Sequence, residues 1–121
     1  MKIIGIGIDL EEIKTFQDHL DSKNTRFFER VFTKDEIEYC QNKPNPAQHY
    51  AARFCAKEAA VKAVSSITSA VITDFEIGMK EQRPILKIVH GSTNVLDAYN
   101  FMVSLSHAGQ YAIAQVLVWE K

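Results

Sequence analysis

The segment that decides the fold reads Arg53-Phe54-Cys55-Ala56-Lys57-Glu58-Ala59-Ala60-Val61-Lys62. Its alanines and its apolar Phe54 and Val61 predict a helix that packs closely against another element. Two lysines, an arginine and a carboxylate are interleaved with these packing residues, and charge in such a place is costly unless a partner offsets it. The segment therefore predicts a helix that binds an anionic ligand, with the cations holding it directly and the carboxylate through a metal ion.

The sequence before this segment marks where its helix begins. Residues 43–46, which read KPNP, form the clearest loop in the chain. Asn45 is a favourable N-cap and Pro46 a favourable first residue of a helix. We therefore expect one long helix from about Pro46 to about Ser65.

Most of the remaining sequence alternates between apolar and polar residues with a period of two, which is typical of strands. A short buried strand should occupy the first eight residues and end at Asp9. Four later strands are predicted over residues 71–77, 85–90, 101–107 and 111–119. The connection between the last two is short enough for an antiparallel hairpin.

Shorter helices are expected in three places. Residues 10–20 have apolar residues at helical spacing, Thr33 to Glu36 match a capping box, and residues 92–99 read as a short helix between strands. The elements together predict an α+β fold in which a mostly antiparallel sheet packs against one long helix. The 121 residues form a single domain, 1–121, which is short for building a deep cleft alone, so an oligomer interface would help.

Charge and cysteine content limit the partners and the compartment. Fourteen basic and fifteen acidic residues give a net charge of −1, which argues against a general nucleic-acid binder. Cys40 and Cys55 form no CxxC pair and are interpreted as reduced structural cysteines. Asp9 cuts the apolar N-terminus short, so we expect no signal peptide, no membrane span and a cytoplasmic protein.

The charges of the long helix are open to more than one interpretation. Glu58 and Lys62 are four residues apart in the orientation that favours an ion pair, so a helix salt bridge would explain them without a ligand. Arg53 and Lys57 have the same spacing but like charge. That pair therefore needs an anion from outside the helix.

Asp9 likewise has two interpretations. An aspartate after a glycine-containing strand is often a turn former or a helix N-cap. Alternatively, Asp9 is the partner of Glu58, since two carboxylates, phosphate oxygens and water are a usual coordination set for Mg²⁺. No cluster of histidines or cysteines competes for zinc.

The strand that ends at His107 carries two serines, which raises the question of a serine hydrolase. Ser106 and His107 are neighbours in a strand and face opposite ways, so they do not form a nucleophile with its base. His107 is then either an exposed or hydrogen-bonded turn histidine or a contact for an anion.

Four segments, in order and spanning nearly the whole chain, resemble the holo-acyl-carrier-protein synthase family, the small 4′-phosphopantetheinyl transferases. They are Gly5-Ile6-Gly7-Ile8-Asp9, the Arg26 to Thr33 segment RFFERVFT, the Ala52 to Ala63 segment ARFCAKEAAVKA, and Ser104 to His107 with Tyr111-Ala112. The third segment is the specific one. The resemblance implies a 4′-phosphopantetheinyl transferase-like fold and a homotrimer with active sites between subunits.

The implied reaction moves 4′-phosphopantetheine from coenzyme A to a serine of an apo acyl carrier protein, of fatty acid biosynthesis or another pathway, and releases adenosine 3′,5′-bisphosphate. Asp9 and Glu58 would hold Mg²⁺, and with Lys62 they form the expected catalytic set. The residues expected to contact coenzyme A are Arg53, Lys57, Lys62, Arg83, Pro84 and His107, with Arg53 and His107 at the 3′-phosphate. Such a transfer needs alignment and charge neutralisation rather than a protein nucleophile, and Glu58 or a water on the metal ion would accept the serine proton.

Three departures from the family pattern bear on substrate contacts. Residues 64–67 replace a glycine-rich turn, and residues 82–84, which read QRP, replace Gly-Lys-Pro and so lose the glycine. Thr15 stands where a basic residue often meets the carrier protein. The candidate carrier-docking cations are Lys14, Arg26 and Arg30.

Two other functions fit the same residues. A non-catalytic module would bind coenzyme A or a carrier protein without transferring anything. A small nucleotide-phosphate hydrolase would use the same carboxylates and cations. A gain of the mass of phosphopantetheine on an apo carrier distinguishes the transferase from both.

Overall fold

The computed structural model describes residues 1–89 and 91–121, and for residues 91–94 it describes the backbone alone. Strands, α-helices and 3₁₀ turns follow one another along the described chain. In order they are β1 (Ile3–Glu12), α1 (Ile13–Asp21), α2 (Thr25–Val31), α3 (Lys34–Gln41), α4 (Pro46–Ala63), a 3₁₀ turn (Ile72–Asp74), β2 (Phe75–Lys80), β3 (Arg83–Ile88), a 3₁₀ segment (Gly91–Ala98), β4 (Tyr99–Ala108) and β5 (Tyr111–Glu120).

The strands form two antiparallel sheets. The larger sheet has the order β1-β5-β4, and a separate hairpin pairs β2 with β3. A two-residue loop joins β4 to β5, and its Gly109 has a φ of 59°, as tight hairpin turns require. Helix α4 packs on the larger sheet through β1 and β5. The predicted fold class, an antiparallel α+β fold built on one long helix, is confirmed.

Helix α4 lies at the centre of the molecule because small residues cover much of its surface. Ala51, Ala56, Ala59 and Ala60 have no exposed area. Such small side chains allow the strands and α1 to approach the helix closely. The charged residues of α4 therefore lie against neighbouring elements rather than on a free solvent face.

Aromatic side chains attach the short helices to α4. The rings of Phe28 and Phe32 lie 4.4 Å and 4.9 Å from the ring of Tyr50, and all three side chains are buried. Thr33 and Glu36 form the predicted capping box at the start of α3. Aromatic packing thus fixes the end of α2 on α4, and the capping box sets where α3 begins directly after it.

The first strand is longer and less buried than predicted. It ends at Glu12 rather than at Asp9, because the residues after Asp9 still pair with β5. Ile6, Ile8 and Leu10 are each more than half exposed. One face of β1 is therefore uncovered in the single chain.

Other boundaries also differ from the sequence prediction. Residues 72–74 form a 3₁₀ turn, so β2 starts at 75 rather than 71, and α1 starts at 13 rather than 10. Residues 25–31 form α2, a helix that the apolar spacing did not predict. The strand predicted over 85–90 ends at residue 88, and position 90 lies outside the described residues.

The long helix and the last two strands are confirmed. Helix α4 starts at Pro46, as predicted, and ends two residues before Ser65. Asn45 occupies the N-cap position, although its side chain makes no capping hydrogen bond. No helix in the described ranges is long and apolar enough to cross a membrane.

Candidate functional site

The first candidate region is a group of carboxylates where β1 passes α4. Asp9 and Glu11 alternate onto one face of β1, and their partners in β5 are Ala114 and Ala112. Both alanines are buried, so this is the face that α4 covers. Glu58 of α4 is near enough for the charge of Asp9 to raise its pKa. The fold therefore brings the two expected metal ligands together and adds a third carboxylate.

Lys62 is the cation of this carboxylate region. Its ammonium group donates to the backbone oxygen of Ile8 at 2.9 Å and to Asp9 Oδ1 at 3.3 Å. In the described part of the chain no ion pair joins Lys62 to Glu58, so the interpretation as an i,i+4 helix salt bridge is wrong. About half of the Lys62 side chain remains exposed, at 52%. Lys62 therefore ties α4 to β1 and still faces solvent.

Burial and mutual repulsion shift the titration of the carboxylates. Burial raises the pKa of Glu58, the charge of Asp9 raises it further, and the charge of Lys62 opposes both effects. Burial raises the pKa of Glu11 to about 7, together with the neighbouring carboxylates of Asp9 and Glu58. The region thus gathers more negative charge than Lys62 neutralises.

The donor set of this region suits a divalent cation. Asp9 Oδ2 is buried and has no hydrogen-bond partner, so an oxygen able to bind a metal is left unpaired. Mg²⁺ prefers carboxylate oxygens and needs only one or two of them when substrate oxygens and water complete its octahedron. Across residues 1–89 and 91–121, no group of three or more His, Cys, Asp or Glu side chains is arranged to hold a metal alone. The unpaired oxygen of Asp9 and the lack of a complete protein ligand set both fit a metal site that is shared with substrate oxygens.

The second candidate region is a cleft of about 510 Å³ between α4, β4 and the β2–β3 hairpin. Its lining includes four residues expected to contact coenzyme A, namely Arg53, Arg83, Pro84 and His107. Apolar side chains, among them Met79 and Leu105, form other parts of the wall. Cations set in an apolar wall suit a ligand that combines an anionic group with a flat, apolar one.

Arg53 is a buried cation without a counter-ion. It is 2% exposed, and none of the described carboxylates lies within ion-pair distance of it. One guanidinium nitrogen donates a long bond of 3.4 Å to the backbone oxygen of His49, and Nε has no partner. The guanidinium carbon lies 3.9 Å from the centre of the Tyr39 ring. Because an unpaired buried charge is costly, the cleft is suited to an anion supplied by a ligand.

Two histidines stand beside Arg53 in the cleft wall. Burial lowers the pKa of His49, and the charges of Arg53, Lys43 and His107 lower it further. His107 Nε2 lies 2.9 Å from the side-chain nitrogen of Gln48. His107 is therefore hydrogen-bonded, as one interpretation expected, and it also lines the cleft.

Lys57 is not brought to either region. Its side chain has no exposed surface, and its ammonium group donates to Glu36 Oε1 at 2.6 Å and to the backbone oxygen of Val31 at 2.8 Å. Burial lowers the pKa of Lys57, and Glu36 opposes that shift. The expectation that Lys57 contacts coenzyme A is corrected, because its anion comes from α3 and not from a ligand.

The expected carrier-docking cations lie on α1 and α2. Lys14 is paired with Asp18 at 2.9 Å. Arg26 and Arg30 are exposed, are four residues apart on α2, and have no ion pair within the described ranges. The two arginines are therefore more available to an acidic partner than Lys14 is.

Sequence patterns missed three residues of these regions. Glu11 follows Asp9 by two positions, the spacing that returns to the same face of a strand, and this signal could have found it. His49 precedes Arg53 by four positions, which places both on one helix face. Tyr39 gave no local signal, because it reaches Arg53 from another helix.

Comparison with known proteins places the chain in a family. The model of the 4′-phosphopantetheinyl transferase superfamily matches residues 5–116. A holo-[acyl-carrier-protein] synthase of Geobacter metallireducens is 38% identical over 122 residues, which is 96% of this chain and 97% of the relative. One of Geobacter sulfurreducens is 39% identical over 123 residues, again 96% of this chain and 97% of the relative.

Solved structures agree with the sequence relatives. The acyl carrier protein synthase of Mycobacterium tuberculosis superposes with a TM-score of 0.79 at 29% identity, covering 98% of this chain and 99% of that one. The Bacillus anthracis holo-(acyl-carrier-protein) synthase, solved in complex with CoA (3′,5′-ADP), superposes with a TM-score of 0.78 at 29% identity over the full length of both chains.

The fold and the matched residues define the class: the chain belongs to the 4′-phosphopantetheinyl transferase superfamily, and it is a transferase. Within that class the relatives narrow the assignment to the holo-acyl-carrier-protein synthase family. The resemblance seen in the four sequence segments is confirmed.

Proposed function

We propose that this protein is an active, Mg²⁺-dependent holo-acyl-carrier-protein synthase. It transfers 4′-phosphopantetheine from coenzyme A to a serine of an apo acyl carrier protein and releases adenosine 3′,5′-bisphosphate. The observation that carries the proposal is that one chain has both regions that coenzyme A would need. One is the cluster of carboxylates with excess negative charge, and the other is the cleft with the unpaired cation Arg53. Coenzyme A carries a diphosphate for a metal ion at the first region and a 3′-phosphate for the second.

The residues of the first region would prepare the diphosphate for transfer. Asp9 and Glu58 would hold Mg²⁺, which neutralises diphosphate oxygens when bound. Lys62 supports the same task because it lies beside Asp9 with half of its side chain exposed. It would bind a diphosphate oxygen and balance the charge that develops on the leaving group.

The bond changes need no covalent intermediate with the protein. The serine oxygen of the carrier attacks the phosphorus next to the pantetheine arm, and the bond from that phosphorus to the bridging oxygen breaks. The bridging oxygen leaves on adenosine 3′,5′-bisphosphate. Glu58 is our candidate acceptor for the serine proton, because it is a carboxylate in the region that would hold the reacting diphosphate.

The cleft would hold the adenosine end of coenzyme A. Arg53 and His107 would bind the 3′-phosphate, and Arg83 would add a further positive charge from the hairpin. Pro84 and the neighbouring apolar wall would pack against the adenosine. Binding energy gained here, far from the reacting phosphorus, would help to align the diphosphate for transfer.

We also propose that copies of the chain assemble as a homotrimer through the uncovered face of the larger sheet. Ile6, Ile8 and Leu10 of β1 and Met102 of β4 are exposed on that face by more than half. Burying such a patch is favourable at roughly 25 cal/mol per Å² of apolar surface. Sedimentation should give a trimer for the parent and a monomer for Ile6→Lys, whereas Val71→Lys, at an equally exposed position away from the sheet, should remain a trimer.

The carrier-docking proposal centres on Arg26 and Arg30. They are exposed and unpaired in the described chain, and they lie on the helix next to α1. An acidic carrier helix would meet them through charge complementarity, which acts mainly on the association rate and weakens with salt. Arg30→Glu should therefore raise KM for the carrier while KM for coenzyme A stays unchanged.

The transfer itself is tested by mixing the protein with coenzyme A, Mg²⁺ and a panel of apo carriers, including one of fatty acid biosynthesis. Mass spectrometry should show that a carrier gains the mass of phosphopantetheine, and a chelator should stop the gain. Glu58→Gln should abolish transfer with the fold intact, whereas Glu12→Gln, an exposed neighbour in β1, should not.

Three other outcomes would redirect the proposal. Transfer by Glu58→Gln at the parent rate would remove Glu58 from the metal site. Binding of coenzyme A with no modification of any carrier would favour the non-catalytic module. Release of cleaved nucleotide without a carrier would favour the hydrolase. As an independent readout, Mg²⁺ should raise the melting temperature of the parent and not of Glu58→Gln.

A further inference from the structure

A buried ion pair outside both candidate regions joins helix α4 to the β2–β3 hairpin. Lys57 of α4 and Glu36 of α3 contact at 2.6 Å, and neither side chain has any exposed surface. The second oxygen of Glu36, Oε2, accepts a hydrogen bond of 2.8 Å from the backbone N–H of Ile77 in β2. A single carboxylate therefore connects three elements that are distant in sequence.

Both members of this pair also bond to the backbone of the segment that joins α2 to α3. Glu36 Oε1 also accepts from the Thr33 backbone N–H at 2.9 Å, and Lys57 also donates to the Val31 backbone oxygen at 2.8 Å. Burying two charges is expensive, and a pair of this kind often contributes little net stability compared with apolar residues of the same volume. Stability alone is thus a weak reason for its presence.

Within the described residues the hairpin is not hydrogen-bonded to the larger sheet. It is connected to the start of α3 by two bonds, from the Ile77 N–H to Glu36 and from the Thr33 hydroxyl to Glu76. The Ile77 N–H points outward to Glu36, so the outer edge of β2 is attached to α3 by this bond. Across the hairpin, Met79 pairs with Pro84, and Arg83 is the first residue of β3. All three of these residues line the cleft. Displacement of β2 from α3 would therefore move one wall of the cleft relative to Arg53.

We propose that Glu36 and Lys57 are positioning residues that set the affinity for the adenosine 3′-phosphate end of coenzyme A, by fixing the hairpin wall of the cleft on helix α4. This inference rests on the proposed function of the cleft. It assigns to Lys57 an indirect contribution in place of the direct contact that the sequence predicted. It also explains why an ion pair is kept where apolar packing would suffice, since the Glu36 carboxylate accepts from the hairpin and from α4 at once.

Calorimetry with adenosine 3′,5′-bisphosphate tests the inference, because this ligand occupies the cleft and lacks the diphosphate that engages the carboxylate region. The matched variants are Glu36→Gln and Glu38→Gln, the latter an exposed position on the same helix. We expect about tenfold weaker binding for Glu36→Gln and parent affinity for Glu38→Gln. Glu36→Gln should also raise the KM for coenzyme A about tenfold while its kcat stays within about threefold of the parent. A general loss of stability does not raise KM and spare kcat in this way.

A second variant guards against misfolding of Glu36→Gln. Replacing both partners, Glu36→Leu with Lys57→Met, removes two buried charges together and should fold. It should still weaken binding about tenfold, because the Ile77 N–H loses its acceptor. A folded variant of either kind that binds within about twofold of the parent overturns the inference.

A measurement on the parent alone gives an independent check. Amide hydrogen exchange over β2 and β3 should slow when adenosine 3′,5′-bisphosphate binds, since the ligand contacts the hairpin wall. Binding without any change in hairpin exchange overturns the positioning inference and leaves the proposed function standing. No binding by the parent overturns both, so the two failures are distinguishable.

Discussion

Gly7 and Ala59 lie so close that a Cβ atom at residue 7 would stand 1.8 Å from the Ala59 carbonyl oxygen. Gly5 has the same relation to Ala63, at 1.9 Å. Atoms do not approach so closely, so only glycine allows β1 to cross α4 at this distance. The contact sets the spacing between the two elements that carry the candidate metal ligands.

Gly7→Ala should destabilise the protein by about 3 kcal/mol or more, because the new methyl group meets backbone atoms that have no alternative rotamer. Urea unfolding measures the loss. Gly78→Ala is the matched control, since its Cβ would meet the flexible end of Lys87 at 3.2 Å, and it should cost no more than about 1 kcal/mol. Equal losses for the two variants would show that close strand–helix contact is unimportant.

Glu11→Gln should stabilise the metal-free protein at pH 8 and have much less effect at pH 4.5. In the folded protein the pKa of Glu11 is raised from 4.5 to about 7, by burial first and then by Asp9 and Glu58. The folded state therefore holds the proton more tightly than the unfolded state, and the stability this gives is lost as pH rises from 4.5 through 7. A neutral glutamine avoids that loss.

Melting temperatures across this pH range test the Glu11 prediction. Glu12→Gln, an exposed carboxylate next in sequence, is the control and should show a smaller difference between the two pH values. If the melting temperatures of Glu11→Gln and of the parent changed with pH in parallel, the pKa of Glu11 would not be raised in the folded protein.

Gln82→Gly should stabilise the β2–β3 hairpin. Glu81 and Gln82 form its two-residue turn with φ values of 52° and 67°, a left-handed conformation that costs residues with a Cβ roughly 1 kcal/mol each. Removing the Cβ at 82 should raise the free energy of unfolding by about 0.5 to 1 kcal/mol after the added chain entropy is counted. The change in the free energy of unfolding is obtained from the denaturant midpoints, provided that its dependence on denaturant concentration is the same in both proteins. Gln82→Ala keeps a Cβ and should show no gain; an equal gain would mean that the turn is unstrained.

Neither cysteine of the native protein should react with a thiol reagent at pH 8. Burial raises the pKa of both Cys40 and Cys55 to about 12, and Cys55 also donates to the backbone oxygen of Ala112 at 3.3 Å. A colorimetric thiol assay should count no fast-reacting thiol in the folded protein and two after denaturation. A thiol that reacts at once in the native state would contradict this burial.

The sequence predicted well those elements whose signals are local. Pro46 at the first position of α4, the capping box from Thr33 to Glu36 and the short connection before β5 were all recognisable within a few residues, and the structure has each of them. The end of β1 was predicted wrongly, because Asp9 was taken as a boundary while pairing with β5 continues for three more residues. Pairing between strands distant in sequence leaves no local signal.

The sequence by itself determined most of the elements in their order and the residue types available for an anionic ligand and a metal ion. Only the tertiary structure decided which charges meet. Lys57 pairs with Glu36, which is 21 residues away in the sequence, and Lys62 pairs with Asp9, which is 53 residues away. Arg53 is buried with no described carboxylate beside it. The physical reason is that secondary structure follows from neighbours within a turn or a strand pair, whereas the partner of a buried charge depends on how whole elements pack together.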